Sequence, residues 1–239
     1  MPANKKSAQS ARRGRNPAAR RQRREGPGTP LTRRQIVQTA LTLVDRVGLK
    51  DLSMRRLGVE LGADPMAVYY HIPNKQALLD AIVEAVMAGI DLSVDNPAAP
   101  PEQRILRAAH AYRDAMLAHG NALPIVLAHG PVTPAALRPV ELLMGILRDA
   151  GLPPAEALAG MNAIAATVRG VVGMMASGPA QRPSPEQLEA MSRNFPPGEF
   201  PHLHEAMGYL GDSLGRGFDF GILALARGLL AEARSGKNG

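Results

Sequence analysis

The chain has 239 residues, 45% of them apolar but only 3% aromatic, with no Trp and no Cys. This composition excludes disulfides and thiolate chemistry, is consistent with a cytoplasmic location, and requires an aliphatic core of Leu, Ala, Val, Ile and Met, which favours helices over strands. The net charge of +7 sits at one end: the basic side chains from Lys5 to Arg24 face a single acid, Glu25, whereas residues 76–239 hold more acids than bases.

Residues 1–28, "MPANKKSAQSARRGRNPAARRQRREGPG", have almost no apolar side chains. They cannot bury a core and read as a disordered basic arm. No apolar run marks a secretory signal. A solubilising tail, a phosphate- or minor-groove-binding arm and an organelle transit peptide all remain open for this segment.

Residues 29–75 read as three short helices and the start of a fourth. Thr32 is an N-cap, and Ile36, Val37, Ala40, Leu41, Val44 and Val47 follow at helical spacing until Gly48. Ser53 caps a second helix that stops near Gly62. Asp64 caps a third, with Pro65 at its first position, where a missing N–H costs nothing. Pro73 ends it near His71, and Asn74 caps a fourth helix from Lys75 to about Ile90.

The second and third helices fit a helix-turn-helix. Gly58 sits where their backbones approach, Gly62 where a tight turn needs a left-handed conformation, and Val68 faces inward. A generic helical hairpin is the bland alternative. With Val68 inside, its helical neighbours are left for the outside. Met66 and Ala67 can meet thymine methyls, and Tyr69, Tyr70 and His71 can hydrogen-bond phosphates. Lys75 adds charge at a helix N-terminus, and Arg55 can reach the adjacent strand.

The run from Thr32 to Ile82 resembles the DNA-binding domain of the TetR family of transcriptional regulators. The segments "ALTLVDRVGLKDLSMRRLG" and "VYYHIPNKQALLDAI" carry the likeness. It implies DNA contacts at Ser53, Arg55, Pro65, Met66, Ala67, Tyr69, Tyr70, His71 and Lys75. Pro65 to Ala67 would meet bases, and Tyr69 and Lys75 phosphate.

Residues 76–239 read as wholly helical, which makes the chain all-α: a helix-turn-helix domain followed by a helical effector-binding and dimerisation domain. Helices are expected at Glu102–His119, Leu123–Ala128, Pro134–Ala150, Ala155–Ala176, Glu186–Arg193, Leu203–Tyr209 and Phe218–Arg234, separated by Gly/Pro-rich breaks. The stretch "AEALAGMNAIAATVRGVVGMMA" is apolar nearly all round and reads as a fully buried helix. It is long enough to span a membrane, but Arg169 would fall near mid-span, so no membrane partner is expected. Ala166, Gly170, Gly173 and Ser177 form a small-residue stripe on it. Phe218, Ile222, Leu225 and Leu229 form an apolar stripe on the last helix. Two such helices can build a four-helix bundle with a second copy. The family resemblance places the dimer interface on the corresponding pair, so a homodimer through helices near 155–176 and 218–234 is expected, on a near-palindromic operator.

The same resemblance implies an effector pocket in this half. The segment "GYLGDSLGRGFDFGILALARGLL" is similar to the tetracycline-repressor branch, but "LAHGPVT" and "GVVGMMASG" depart from that branch's magnesium-binding pattern, with Met174 and Met175 near its acid. An apolar organic effector without a metal or other cofactor therefore fits better. His110, Tyr112, Met116 and Asn162 are the candidate pocket residues. His202, His204 and Glu205 could suggest a metal but read as solvated, and His119 and His129 read as helix C-terminal caps. No enzyme motif is found. The expected function is a ligand-released repressor, with a non-specific architectural DNA-binding protein as the alternative.

Overall fold

The computed structural model describes residues 30–129, 133–176 and 184–235, without the side chains of 185, 188 and 210–215. The basic arm 1–28, most of the "HGPVT" turn and Ser177 of the small-residue stripe lie outside the described residues. Among those described, regular structure is entirely helical: α1 (Arg33–Val47), α2 (Met54–Glu60), α3 (Pro65–His71), α4 (Lys75–Ala88), α5 (Pro101–Ala118), α6 (Leu123–Ala128), α7 (Pro134–Asp149), α8 (Pro154–Ala176), α9 (Pro185–Asn194), α10 (Pro201–Ala206) and α11 (Ser213–Ser235).

Local chemistry sets the starts of the first four helices. Thr32 and Gln35 form a reciprocal capping box on α1, with the Thr32 hydroxyl accepting from the Gln35 N–H at 3.2 Å. Ser53 accepts from the Arg56 N–H, Asp64 from the Met66 N–H and Asn74 from the Ala77 N–H. Each cap satisfies an amide that the helix itself leaves unpaired, worth about 1 kcal/mol. The inward faces meet in one core containing Ile36, Val44, Leu57, Val68, Leu78 and Ile82, all fully buried. Each such aliphatic contributes about 1.5–3 kcal/mol by leaving water.

The turn between α2 and α3 depends on two glycines. A Cβ on Gly58 would stand 3.1 Å from the Ala63 carbonyl oxygen and 3.3 Å from Pro65 Cγ. Gly62 has φ +61°, a conformation that costs other residues about 1–2 kcal/mol.

The helix α4 packs against α1 on one side and α7 on the other. Beyond it, α5 is the hub, touching α7, α8 and α11. A 3-10 turn at Leu92–Val94 leads into α5, and a second at Gly120–Ala122 leads into α6. Asp95 and Arg104 tie the linker to α5 with two hydrogen bonds of 2.8 Å.

Three sequence expectations are corrected here. The α8 helix is not fully buried. Ala157, Gly160, Met161, Ile164, Val168 and Val172 face α5, α7 and α11, while Leu158, Ala166, Gly170 and Met174 are exposed. One chain supplies neighbours on one side of this helix only. On α11 the inward row is Phe218, Ile222, Ala226, Leu230 and Ala233, with Leu225 and Leu229 half-buried. Leu229 covers Gly160, where an added Cβ would come within 2.9 Å of its methyls. Finally, the expected helix at Leu203–Tyr209 ends at Ala206 and continues as a 3-10 turn to Asp212.

Candidate DNA interface and effector cavity

Burial of Val68 at 0% exposure forces the rest of α3 outward: Met66 is 72% exposed, Tyr70 87% and Tyr69 41%. Pro65, Ala67 and His71 are half-buried, and Ser53, Arg55 and Lys75 are exposed. The His71 ring meets Tyr70 edge-on at 5.3 Å between centroids, which stiffens that pair. Ile72 is buried directly after, locking the exit from α3. The arrangement offers apolar groups at the start of α3, phenols along it and an ammonium at the start of α4. Ser53 and Pro65 also have structural duties, as the α2 cap and as the ring packed on Gly58.

The cations around this face divide into two sets. Arg46 is paired with Glu60 at 2.7 Å, and that bond holds the Glu60 carboxyl below its ordinary range. Arg56 approaches Asp51 at 4.0 Å. Arg33, Arg34, Arg55 and Lys75 are exposed and make no ion pair among the described residues. Arg33 and Arg34 were not among the sequence candidates. Their signal was two adjacent arginines in the first turn of α1, where a helix places acids more favourably than bases.

The last turn of α1 is fastened to the other half of the chain. His119 Nδ1 lies 2.9 Å from Asp45 Oδ2, and the Asn121 amide donates to the Asp45 carbonyl at 2.9 Å. His119 is the C-cap residue of α5, its N–H bonded to the Met116 carbonyl at 3.2 Å, and its ring in addition reaches the distant Asp45 on α1. His129 does turn back on its own helix, with Nδ1 2.9 Å from the Ile125 carbonyl oxygen.

A cavity of about 370 Å³ lies among α4, α5, α7 and α8. Its wall is mainly aliphatic, with Met87, Leu143, Met161 and Ile164 among the lining residues. Tyr112 and Asn162 line it. His110 and Met116 do not. The His110 ring Nε2 is 2.9 Å from Asp219 and the ring stacks edge-on against Phe218, so it joins α5 to α11. Met116 is fully buried in the core. On a helix packed from several sides, neither position faces the cavity. The sequence reading of the pocket missed Arg169, which lines it and donates from Nε to Tyr112 Oη at 2.8 Å. Its signal was a lone cation seven residues after Asn162, on the same helical face. Among the described residues no three His, Asp or Glu side chains are placed to hold a metal ion.

Comparison with known proteins agrees with this layout. Residues 36–82 match the model of bacterial regulatory proteins of the tetR family, and residues 96–232 match the tetracyclin repressor-like C-terminal domain. The chain is similar to the tetracycline repressor protein class C of Escherichia coli, 32% identical over 172 residues, spanning 70% of this chain and 77% of that one. Apo ActR of Streptomyces coelicolor is 28% identical, with a TM-score of 0.76 over 87% of this chain and 99% of ActR. ActR in complex with actinorhodin is 29% identical, with a TM-score of 0.73 over 86% and 99%. With the helix-turn-helix, the helical C-terminal half and both family matches in one chain, the protein belongs to the tetR family of bacterial regulatory proteins, DNA-binding transcription factors rather than enzymes.

Proposed function

We propose that this chain is a homodimeric repressor in the cytoplasm that binds a near-palindromic operator and leaves it when a small organic molecule enters the cavity. Residues 29–75 carry DNA recognition and residues 76–239 carry effector binding and pairing. Pro65, Met66 and Ala67 meet bases. Ser53, Arg55, Tyr69, Tyr70, His71 and Lys75 meet the backbone or adjacent positions, joined by Arg33 and Arg34.

One observation carries the reading. The α4 helix begins at Lys75 beside the recognition helix and lines the cavity at Met87 near its other end. An occupant that displaces the end of a rigid helix also moves its start. A coupling of about 1–3 kcal/mol between the sites suffices for release. The exposed faces of α8 and α11, with Ala166, Gly170 and the 76%-exposed Phe220, supply a surface for the second copy. ActR's complex with actinorhodin and the tetracycline repressors' name suggest ring-containing organic compounds as the first effectors to try.

The test is selection of bound sequences from a random DNA pool with the full chain at physiological salt. Enrichment of a near-palindrome, followed by its release on adding an effector, supports the reading. Tight binding with no enriched sequence, and with a steep salt dependence, would assign the affinity to the basic arm and make the protein an architectural DNA binder.

A further inference from the structure

We propose that the cavity takes an amphiphilic organic anion, its oxyanion received by Arg169 and Tyr112 and its hydrocarbon body lying on the aliphatic wall. The inference rests on reading the cavity as the effector site and goes further by naming the ligand's charge and orientation.

Arg169 is a half-buried cation facing an apolar space. It makes no ion pair with a described carboxylate. Among the described residues its side chain donates one hydrogen bond, from Nε to Tyr112 Oη at 2.8 Å. That geometry has two consequences. The guanidinium keeps its Nη donors, a planar fork suited to two oxygens. Tyr112, whose oxygen accepts from Arg169, keeps its own O–H to donate. Arginine cannot shed its proton to relieve burial, so an anion is the partner that offsets the lost hydration. This end of the cavity is thus a set of donors, matched to a carboxylate or an acidic enol and mismatched to an amine.

Asp91 is the acid that lines the cavity. Its carboxylate accepts from the Ser93 N–H at 2.9 Å and the Ser93 hydroxyl at 2.6 Å. Those bonds hold its pKa below the ordinary value, so it stays ionised. It sits on the 3-10 turn after α4, whereas Arg169 is on α8. Opposite charges on different walls orient the ligand, with its anionic end toward α8 and away from Asp91.

The experiment uses the full chain and matched acid and carboxamide pairs on two- and three-ring aromatic skeletons, for example anthraquinone-2-carboxylate and anthraquinone-2-carboxamide, titrated calorimetrically at neutral pH. The acid should bind at least about tenfold tighter than its amide. Arg169→Gln should abolish that preference by weakening the acid about tenfold more than the amide, and Tyr112→Phe should reduce it. Ala165→Phe, which fills the cavity, should lose both probes. Equal binding of acid and amide to the wild type, or an undiminished preference in both Arg169→Gln and Tyr112→Phe, overturns the anion assignment alone. Binding that survives Ala165→Phe, or no binding by any pair, overturns the cavity reading together with it.

Discussion

Asp45 and His119, separated by 74 positions in sequence, are joined at 2.9 Å. Asp45 stands in the last turn of α1, where the helix dipole disfavours a negative charge, and its Oδ1 is buried without a hydrogen-bond partner. His119 is therefore the group that compensates a poorly placed carboxylate, and it does so from the end of α5. His119→Ala should destabilise the fold by about 1–3 kcal/mol by stranding that carboxylate. Because His119 does not line the cavity, affinity for a cavity ligand should stay within about twofold. Urea unfolding alongside ligand titration measures both.

The helix-turn-helix should be less tolerant of a methyl than the α8–α11 contact is. At Gly58 an added Cβ meets a backbone carbonyl and a proline ring. Ala63 N–H is itself bonded to the Gly58 carbonyl at 2.9 Å, so the turn has little room to give. Gly58→Ala should cost about 1–3 kcal/mol. At Gly160 the obstacle is the far end of Leu229, which can rotate away, and the helix gains about 1 kcal/mol from Ala over Gly. Gly160→Ala should therefore lie near neutrality. Thermal melts of the two variants, run side by side, decide the order.

Tyr69→Ala and Tyr70→Ala remove exposed rings of the recognition helix. Each should weaken operator binding by about tenfold or more, the loss of roughly one or two phosphate contacts, with the melting temperature unchanged within error. Equal affinity for the selected operator would remove that tyrosine from the interface.

On α8, a Cβ at Gly170 meets nothing within 4 Å in the chain's own structure. Gly170→Arg should thus leave the protomer folded yet place a charge in the proposed seam. Sedimentation should show monomers at concentrations where the wild type is dimeric. A dimer that survives the substitution would place the interface elsewhere.

Arg104 holds the Asp95 carboxyl below the ordinary carboxylate value, through paired hydrogen bonds between side chains only 13% and 12% exposed. A depressed folded pKa means that this stabilisation is fully present above the unfolded value of about 3.9 and is lost as pH falls through the lower folded value. Asp95→Asn should cost about 1–3 kcal/mol near neutrality, and the gap from wild type should close below about pH 3.9. Urea unfolding across that range checks the sign.

The sequence was legible wherever a few neighbouring residues settle the outcome. Thr32, Ser53, Asp64 and Asn74 each cap the helix expected of them, because a cap is a bond across two or three residues. Gly58, Gly62 and Val68 mark the tight turn and its inward face for the same reason. These local rules also delivered the family resemblance, since the helix-turn-helix concentrates them in one short segment.

What lay beyond reach depends on partners distant in the chain. Apolar residues all around α8 say that it shuns water, not which side its own chain covers. That is decided by α5, α7 and α11, which leave Ala166 and Gly170 outside. His110 and Tyr112 are two positions apart on one helix, yet Asp219 draws one to α11 and Arg169 draws the other to the cavity. Composition and spacing by themselves determined an all-helical chain with a helix-turn-helix, and the family resemblance implied a DNA-binding regulator. Only tertiary packing decided which polar side chain joins two helices and which lines the cavity, because each such choice is a competition among groups that the fold alone brings within 3 Å or so.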